Sequence, residues 1–161
     1  MTAKTQAKLP NERTVTITRV FDAPRELVFR MWTEPEHMAE WWGPQCFTNP
    51  VCELDARPGG KILIHMRGPD GTVYPMTGIF REVVEPKLIV FTAFAEDLQG
   101  NRLLESLTTV SFTAQGKKTK LTVNATAKGL APIAPQMLAG MEAGWTQSLE
   151  KLADLLANSG A

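Results

Sequence analysis

Six segments between residues 46 and 127 alternate apolar and polar residues at a period of two, and only beyond residue 135 does the apolar spacing lengthen to three or four. A chain written this way must build a sheet first and cover it with one late helix. The segments lie near 47–55, 61–67, 73–84, 87–95, 103–114 and 119–127. Each break carries turn chemistry: Arg57-Pro58-Gly59-Gly60, Gly68-Pro69-Asp70-Gly71, Glu85-Pro86, the polar run 96–101, and Gln115-Gly116-Lys117. Connections this short join antiparallel neighbours, so the six strands form a meander.

Ahead of this run, residues 14–21 (TVTITRVF) set Val15, Ile17 and Arg19 against Thr14, Thr16 and Thr18, which makes a first strand. Asp22-Ala23-Pro24 has the form of an N-cap followed by an early proline. RELVFRMWT then repeats Leu27, Val28, Met31 and Trp32 at helical spacing as far as Thr33. Glu34-Pro35 starts a second short helix, with Met38, Trp41 and Trp42 on one side, before Gly43-Pro44 stops it. At the other end Pro132 and Pro135 lead into QMLAGMEAGWTQSLEKLADLLA, where Met141, Trp145, Leu149, Leu152 and Leu156 mark one face of a continuous helix of about five turns. The predicted fold is α+β, a seven-stranded curved antiparallel sheet around a long C-terminal helix, with two short helices after the first strand. Residues 1–13 are expected to be a flexible tail, 14–157 a single domain and 158–161 a short C-terminal tail.

Composition narrows the function. The 17 basic and 17 acidic residues cancel, which gives no reason to bind nucleic acid or an anionic membrane, since both select for clustered Lys and Arg. No apolar run approaches the ~18 residues of a membrane-spanning helix, and the polar start lacks a leader's apolar stretch, so a cytoplasmic protein with reduced Cys46 and Cys52 is expected. His37, His65 and the two cysteines do not fall at metal-ligand spacing, and no nucleophile elbow or nucleotide fingerprint occurs. Lys61 after Arg57-Pro58-Gly59-Gly60 opens a strand rather than a helix, which rules out a phosphate loop. Neither metal nor cofactor is expected.

A long sheet curled around one helix is not filled by it, so a cavity is expected between the two. Gly140 and Gly144 each cost about 1 kcal/mol relative to Ala in a helix. Either they allow close approach to a strand, or they leave space that Met137, Met141 and Trp145 line. Met76, Phe80, Phe91 and Phe94 would complete the wall from the sheet. Adjacent indoles on a short helix point different ways, so one of Trp41 and Trp42 is expected inward, as a lid over the cavity or as an anchor for the helix pair. In the strand 103–114, Glu105, Thr109 and Ser111 alternate with Ser106, Thr108 and Val110, and Thr109 is taken as the hydroxyl that meets a ligand. His65 shares a polar strand face with Lys61, Leu63 and Arg67. If that face lined the cavity, His65, Arg67 and Glu105 would be its acid–base candidates; otherwise they are solvated.

FDAPRELVFRMWTEPEHMAEWWGP, LDARPGGKILIHMRGPDG, MTGIFREVVEPKLIVFT and GWTQSLEKLADLL, in this order, resemble the START-like (SRPBCC, helix-grip) superfamily. Within it the pattern is similar to a bacterial branch that resembles the C-terminal domain of the activator of heat-shock-protein-90 ATPase. The resemblance covers about residues 14–157 and implies the helix-grip fold. Members bind lipids, hormones or polyketides, or act as cyclases or hydrolases. The leading expectation is therefore a small apolar or amphipathic ligand held by Trp41, Trp42, Met76, Phe80, Phe91, Phe94, Thr109, Met137, Met141, Gly144 and Trp145. One alternative is an enzyme using the same cavity. Another is a stress-response or chaperone-associated module that binds a protein partner, or a second copy, through an edge strand or the Trp41-Trp42 region.

Overall fold

A computed structural model describes residues 11–158. Residues 1–10 of the expected N-terminal tail and 159–161 of the C-terminal one lie outside the described residues. Strand β1 (Glu12–Phe21) starts two residues earlier than its apolar pattern, and buries Val15 and Phe21 while Thr14, Thr16 and Thr18 point out. Those threonines bond side chains of the neighbouring strand: Thr14 Oγ1 lies 2.8 Å from Thr126 Oγ1, and Asn124 Nδ2 donates to Thr16 Oγ1 at 2.8 Å.

Helix α1 (Arg25–Thr33) follows, and Asp22 does not cap it. Pro24 takes the N-cap position in an extended conformation, and its carbonyl accepts from Leu27 and Val28 N–H, which leaves Asp22 two residues upstream of the cap. Glu34 then serves both helices: its N–H closes α1 on the Arg30 carbonyl, and its own carbonyl accepts from His37 and Met38 to open α2 (Pro35–Trp41).

The two adjacent tryptophans depart from expectation, because both are buried, Trp41 fully and Trp42 to 8 % exposure. The helix ends at Trp41, and Trp42 takes φ −66° and ψ 138°, so the chain turns between them and swings the second indole into the same core. Trp41 Nε1–H donates to the Met31 carbonyl at 3.0 Å.

The sheet comprises β1, β2 (Thr48–Leu54), β3 (Lys61–Arg67), β4 (Val73–Val84), β5 (Leu88–Glu96), β6 (Arg102–Gln115) and β7 (Lys118–Gly129), in the order β1-β7-β6-β5-β4-β3-β2. Every pairing is antiparallel, so β2 to β7 run as one meander and the last strand closes on the first. The fold is α+β, as predicted. Its inner face carries Ile62 and Ile64, Ile89 and Phe91, Val110 and Phe112, Leu121 and Val123, all buried.

The C-terminal helix is not continuous. It divides into α3 (Ala134–Ala139) and α4 (Met141–Asn158) at Gly140, which sits at φ −90° and ψ 0°. This is the bridge conformation that closes a helical turn without continuing it. Arg13 of β1 holds the junction. Its Nη1 donates to the carbonyls of Leu138 at 2.9 Å and Ala139 at 3.2 Å, and its Nη2 to Glu142 Oε1 at 3.1 Å. Beyond the break, Leu149, Leu152 and Leu156 bury one face of α4 in the core.

Candidate functional site

The N-terminal half of α4, with α3, stands over a part of the sheet whose inward residues are small. Register sets Ser106 of β6 between Ala93 of β5 and Ala127 of β7, and Thr108 between Phe91 and Ala125. Side chains this short do not reach the helix. A cavity of about 430 Å³ remains between them, inside the ~300–1,000 Å³ range of small-molecule sites. Opposite this floor lie Gln136, Met137, Gly140, Met141, Gly144, Trp145 and Ser148.

The two glycines do not serve close packing. A Cβ added at Gly144 would meet only Pro44 Cγ at 3.9 Å, and one at Gly140 only carbonyls of its own turn at 3.9 Å. They widen the cavity. Ser148 Oγ is engaged with the Gly144 carbonyl at 3.0 Å; on the floor the Ser106 hydroxyl donates a long 3.4 Å bond to the Ala93 carbonyl, which leaves its oxygen free to accept, beside the buried Thr108.

A third wall is the loop from α2 into β2. Gly43, at φ +91°, turns the chain where a Cβ would press on Met66 Sδ at 3.0 Å. Lys151 of α4 donates to the carbonyls of Trp42 at 3.4 Å and Pro44 at 3.1 Å, and the Gln45 N–H donates to Gln147 Oε1 at 2.9 Å, so α4 holds this loop directly. Burial pushes the Lys151 ammonium below its ordinary pKa, with Cys46 opposing. Phe47 of this loop faces Tyr74 of β4 at 6.1 Å between ring centroids, and both line the cavity. Behind the wall an aromatic cluster supports Trp145: Trp42 meets it edge-on at 5.4 Å and Trp32 stacks on it at 6.1 Å.

The structure brings Trp42, Met76, Phe91, Met137, Met141, Gly144 and Trp145 together around this one space. It places the other expected ligand contacts elsewhere. Trp41 lies behind Trp42 in the helix pair. Phe80 points inward but sits deeper, packed edge-on against Phe91 at 6.4 Å. Phe94 is three residues from Phe91, an odd offset that turns it to the outer face of β5, where the Arg102 guanidinium carbon lies 3.8 Å from its ring centroid. Thr109 faces outward for the same reason, and its neighbour Thr108 takes the inner position. His65, Arg67 and Glu105 all lie on the outer face, away from the cavity lining.

Sequence reasoning missed Phe47, Met66, Tyr74, Gln136, Ser106 and Thr108. Counting back by twos from buried Val110 and Phe112 would have found the last two. No pattern marks Phe47, which reaches the cavity through a positive-φ loop.

Among the described residues no group of three or more His, Cys, Asp or Glu side chains could hold a metal ion. The thiols are free. Burial, then Glu36 and Glu53, pushes the Cys52 pKa up from 9.0 to about 11. No described helix is long and apolar enough to cross a membrane.

A seven-stranded antiparallel sheet gripping a C-terminal helix, with two short helices after the first strand and an apolar space under that helix, defines the START-like helix-grip class. The chain belongs to the family described as Activator of Hsp90 ATPase homolog 1-like protein, which matches residues 22–157. It is similar to a solved protein from Chromobacterium violaceum, with 28% identity, a TM-score of 0.76, and coverage of 89% of this chain and 96% of that one. It is also similar to the AHSA1 protein of Silicibacter pomeroyi, with 26% identity, a TM-score of 0.78, and coverage of 91% and 99% respectively. A protein from Mycobacterium smegmatis shares 28% identity at a TM-score of 0.73, over 89% of this chain and 90% of its own. No curated protein matches the chain significantly.

Proposed function

We propose that this domain binds a small apolar or amphipathic molecule between α4 and the sheet. The observation that carries the reading is the pairing of two helix glycines with a floor of alanines, serine and threonine, which keeps about 430 Å³ open where larger residues would have closed the core. Apolar wall left facing solvent forfeits both burial and packing contacts, so a chain that maintains it gives up stability that a bound apolar guest would restore. Aromatic faces and adaptable methionines form most of the wall, and the Ser106 and Thr108 hydroxyls supply the few polar groups that would orient a guest. Burying about 300 Å² of apolar ligand surface contributes roughly 7 kcal/mol before association entropy is subtracted, which corresponds to micromolar affinity at best.

The enzyme alternative leaned on His65, Arg67 and Glu105, whose side chains lie on the far side of the sheet from this space. The family description names a chaperone ATPase activator, and no feature of this site speaks for that activity over ligand binding.

Native mass spectrometry of freshly purified protein, followed by organic extraction, tests the reading. A stoichiometric adduct of a few hundred daltons that is lost in Gly144→Trp supports it. Retention of the same adduct in a folded Gly144→Trp variant would place the ligand elsewhere, and no binding of any apolar probe to stripped protein would refute the reading.

A further inference from the structure

Taking the ligand-binding reading as its premise, we infer that this cavity accepts ligands with a neutral or cationic polar head and excludes anionic amphiphiles such as fatty-acid carboxylates. Among the described residues no Lys, Arg or His side chain lines the space, and its single carboxyl group is that of Glu96, at the end of β5, which accepts from Thr77 Oγ1 at 2.8 Å. The nearby cations are engaged elsewhere. Lys151 lies one turn of α4 beyond Gln147, and its Nζ is held by the carbonyls of Trp42 and Pro44. Arg102 lies over Phe94 on the outer face. Arg13 clamps the carbonyls of α3 and the carboxylate of Glu142.

The N-terminus of α4 is another source of positive potential near the cavity. The carboxyl end of α3 abuts it across Gly140, so the opposed half-charges of the two helix ends largely cancel there. Aromatic rings of Trp42, Phe91 and Trp145 form part of the wall, and a ring face offers an ammonium group a cation–π partner but offers a carboxylate none. A carboxylate entering here would lose hydration and gain no counter-charge. Ser106, Thr108 and Gln136 suit a hydroxyl, carbonyl or amine instead.

The test compares heads of opposite sign on one tail, so that the general penalty for carrying a charge cancels. Full-length protein, stripped of bound lipid, is loaded with the neutral dye Nile red. Displacement by dodecanoate, dodecylammonium and dodecan-1-ol is then followed at about pH 8, below the micelle concentrations of the two ions and the solubility limit of the alcohol. Dodecylammonium and dodecan-1-ol are expected to displace the dye at concentrations at least tenfold lower than dodecanoate. Dodecanoate that competes as well as dodecylammonium overturns the inference while leaving ligand binding intact, whereas failure of Nile red and all three amphiphiles to bind refutes the underlying reading as well. A second arm uses Ser106→Lys, which installs a cation on the floor. If the variant folds, its preference for ammonium over carboxylate should shrink at least tenfold, and an unchanged preference means that the charge of the lining is not the cause.

Discussion

Gly144 is the sharpest point at which stability and the proposed function diverge. It lies inside α4, where glycine is about 1 kcal/mol less favourable than alanine because the unfolded chain has more freedom to lose. A substitution recovers that amount only if the new methyl has room. Here it does, because its one neighbour within 4 Å is Pro44 Cγ at 3.9 Å, an ordinary van der Waals contact. Gly144→Ala should therefore stabilise the domain by about 0.5–1 kcal/mol, which for a chain of this length raises Tm by roughly 1–4 °C. Thermal unfolding of ligand-free protein, followed by circular dichroism, reads this directly. The same methyl narrows the cavity, so Nile red affinity should fall as Tm rises. A Gly144→Ala protein that melts below wild type would mean that the space beside the helix is closed, and the argument from open volume would fail with it.

Other perturbations probe the supports of the site. Leu152→Ala, at a fully buried position of the C-terminal half of α4, should lose about 2–5 kcal/mol, while Met141→Ala, at a half-buried position on the cavity wall, loses less than that and weakens ligand binding; denaturant titration and dye binding separate the two. Arg13→Ala removes the bonds that hold the α3–α4 junction, so hydrogen exchange of the α3 amides should accelerate with the central strands unchanged. Equal acceleration throughout would mean that Arg13 supports the whole fold rather than this segment. Iodoacetamide near pH 8 should label exposed Cys46 well before Cys52, whose pKa is pushed up to about 11; comparable labelling in peptide maps counts against that burial. Because folding holds the Cys52 proton more tightly than the unfolded chain does, stability should fall as pH rises from 9.0 towards about 11, and Cys52→Ala should flatten that fall.

The periodicities carried the architecture because they are properties of single elements. Alternation in residues 61–67 and 73–84 is visible without knowing what the strand packs against, and β3 and β4 have those bounds. Prediction failed where a residue's direction depends on one or two dihedrals. Phe94 and Thr109 were chosen for their chemistry, yet each is an odd number of residues from its buried neighbours Phe91 and Val110, and so points away. Trp42 came inward because α2 stops one residue before it. Gly140 broke the helix although the apolar spacing runs through it unbroken, since spacing records which face is apolar and not where the backbone bends.

The distribution of residue size along α4 explains how one helix both stabilises this fold and leaves it hollow. From its middle onward it carries Leu149, Leu152 and Leu156 in one buried cluster with Ile89, Val110, Phe112 and Leu121 of the sheet, and there the core closes. On its cavity side it presents Gly144 and Ser148 over a floor of Ala93, Ser106, Ala125 and Ala127, where small residues face small across the gap between layers. Strand spacing and helix diameter are fixed by backbone geometry, so neither layer can sag to fill the difference. The cavity is thus the direct consequence of matching small residues across a fixed distance, with the large-residue half bearing the load of stability. Sequence change at the small-residue end can reshape the space without touching the core that holds the domain folded.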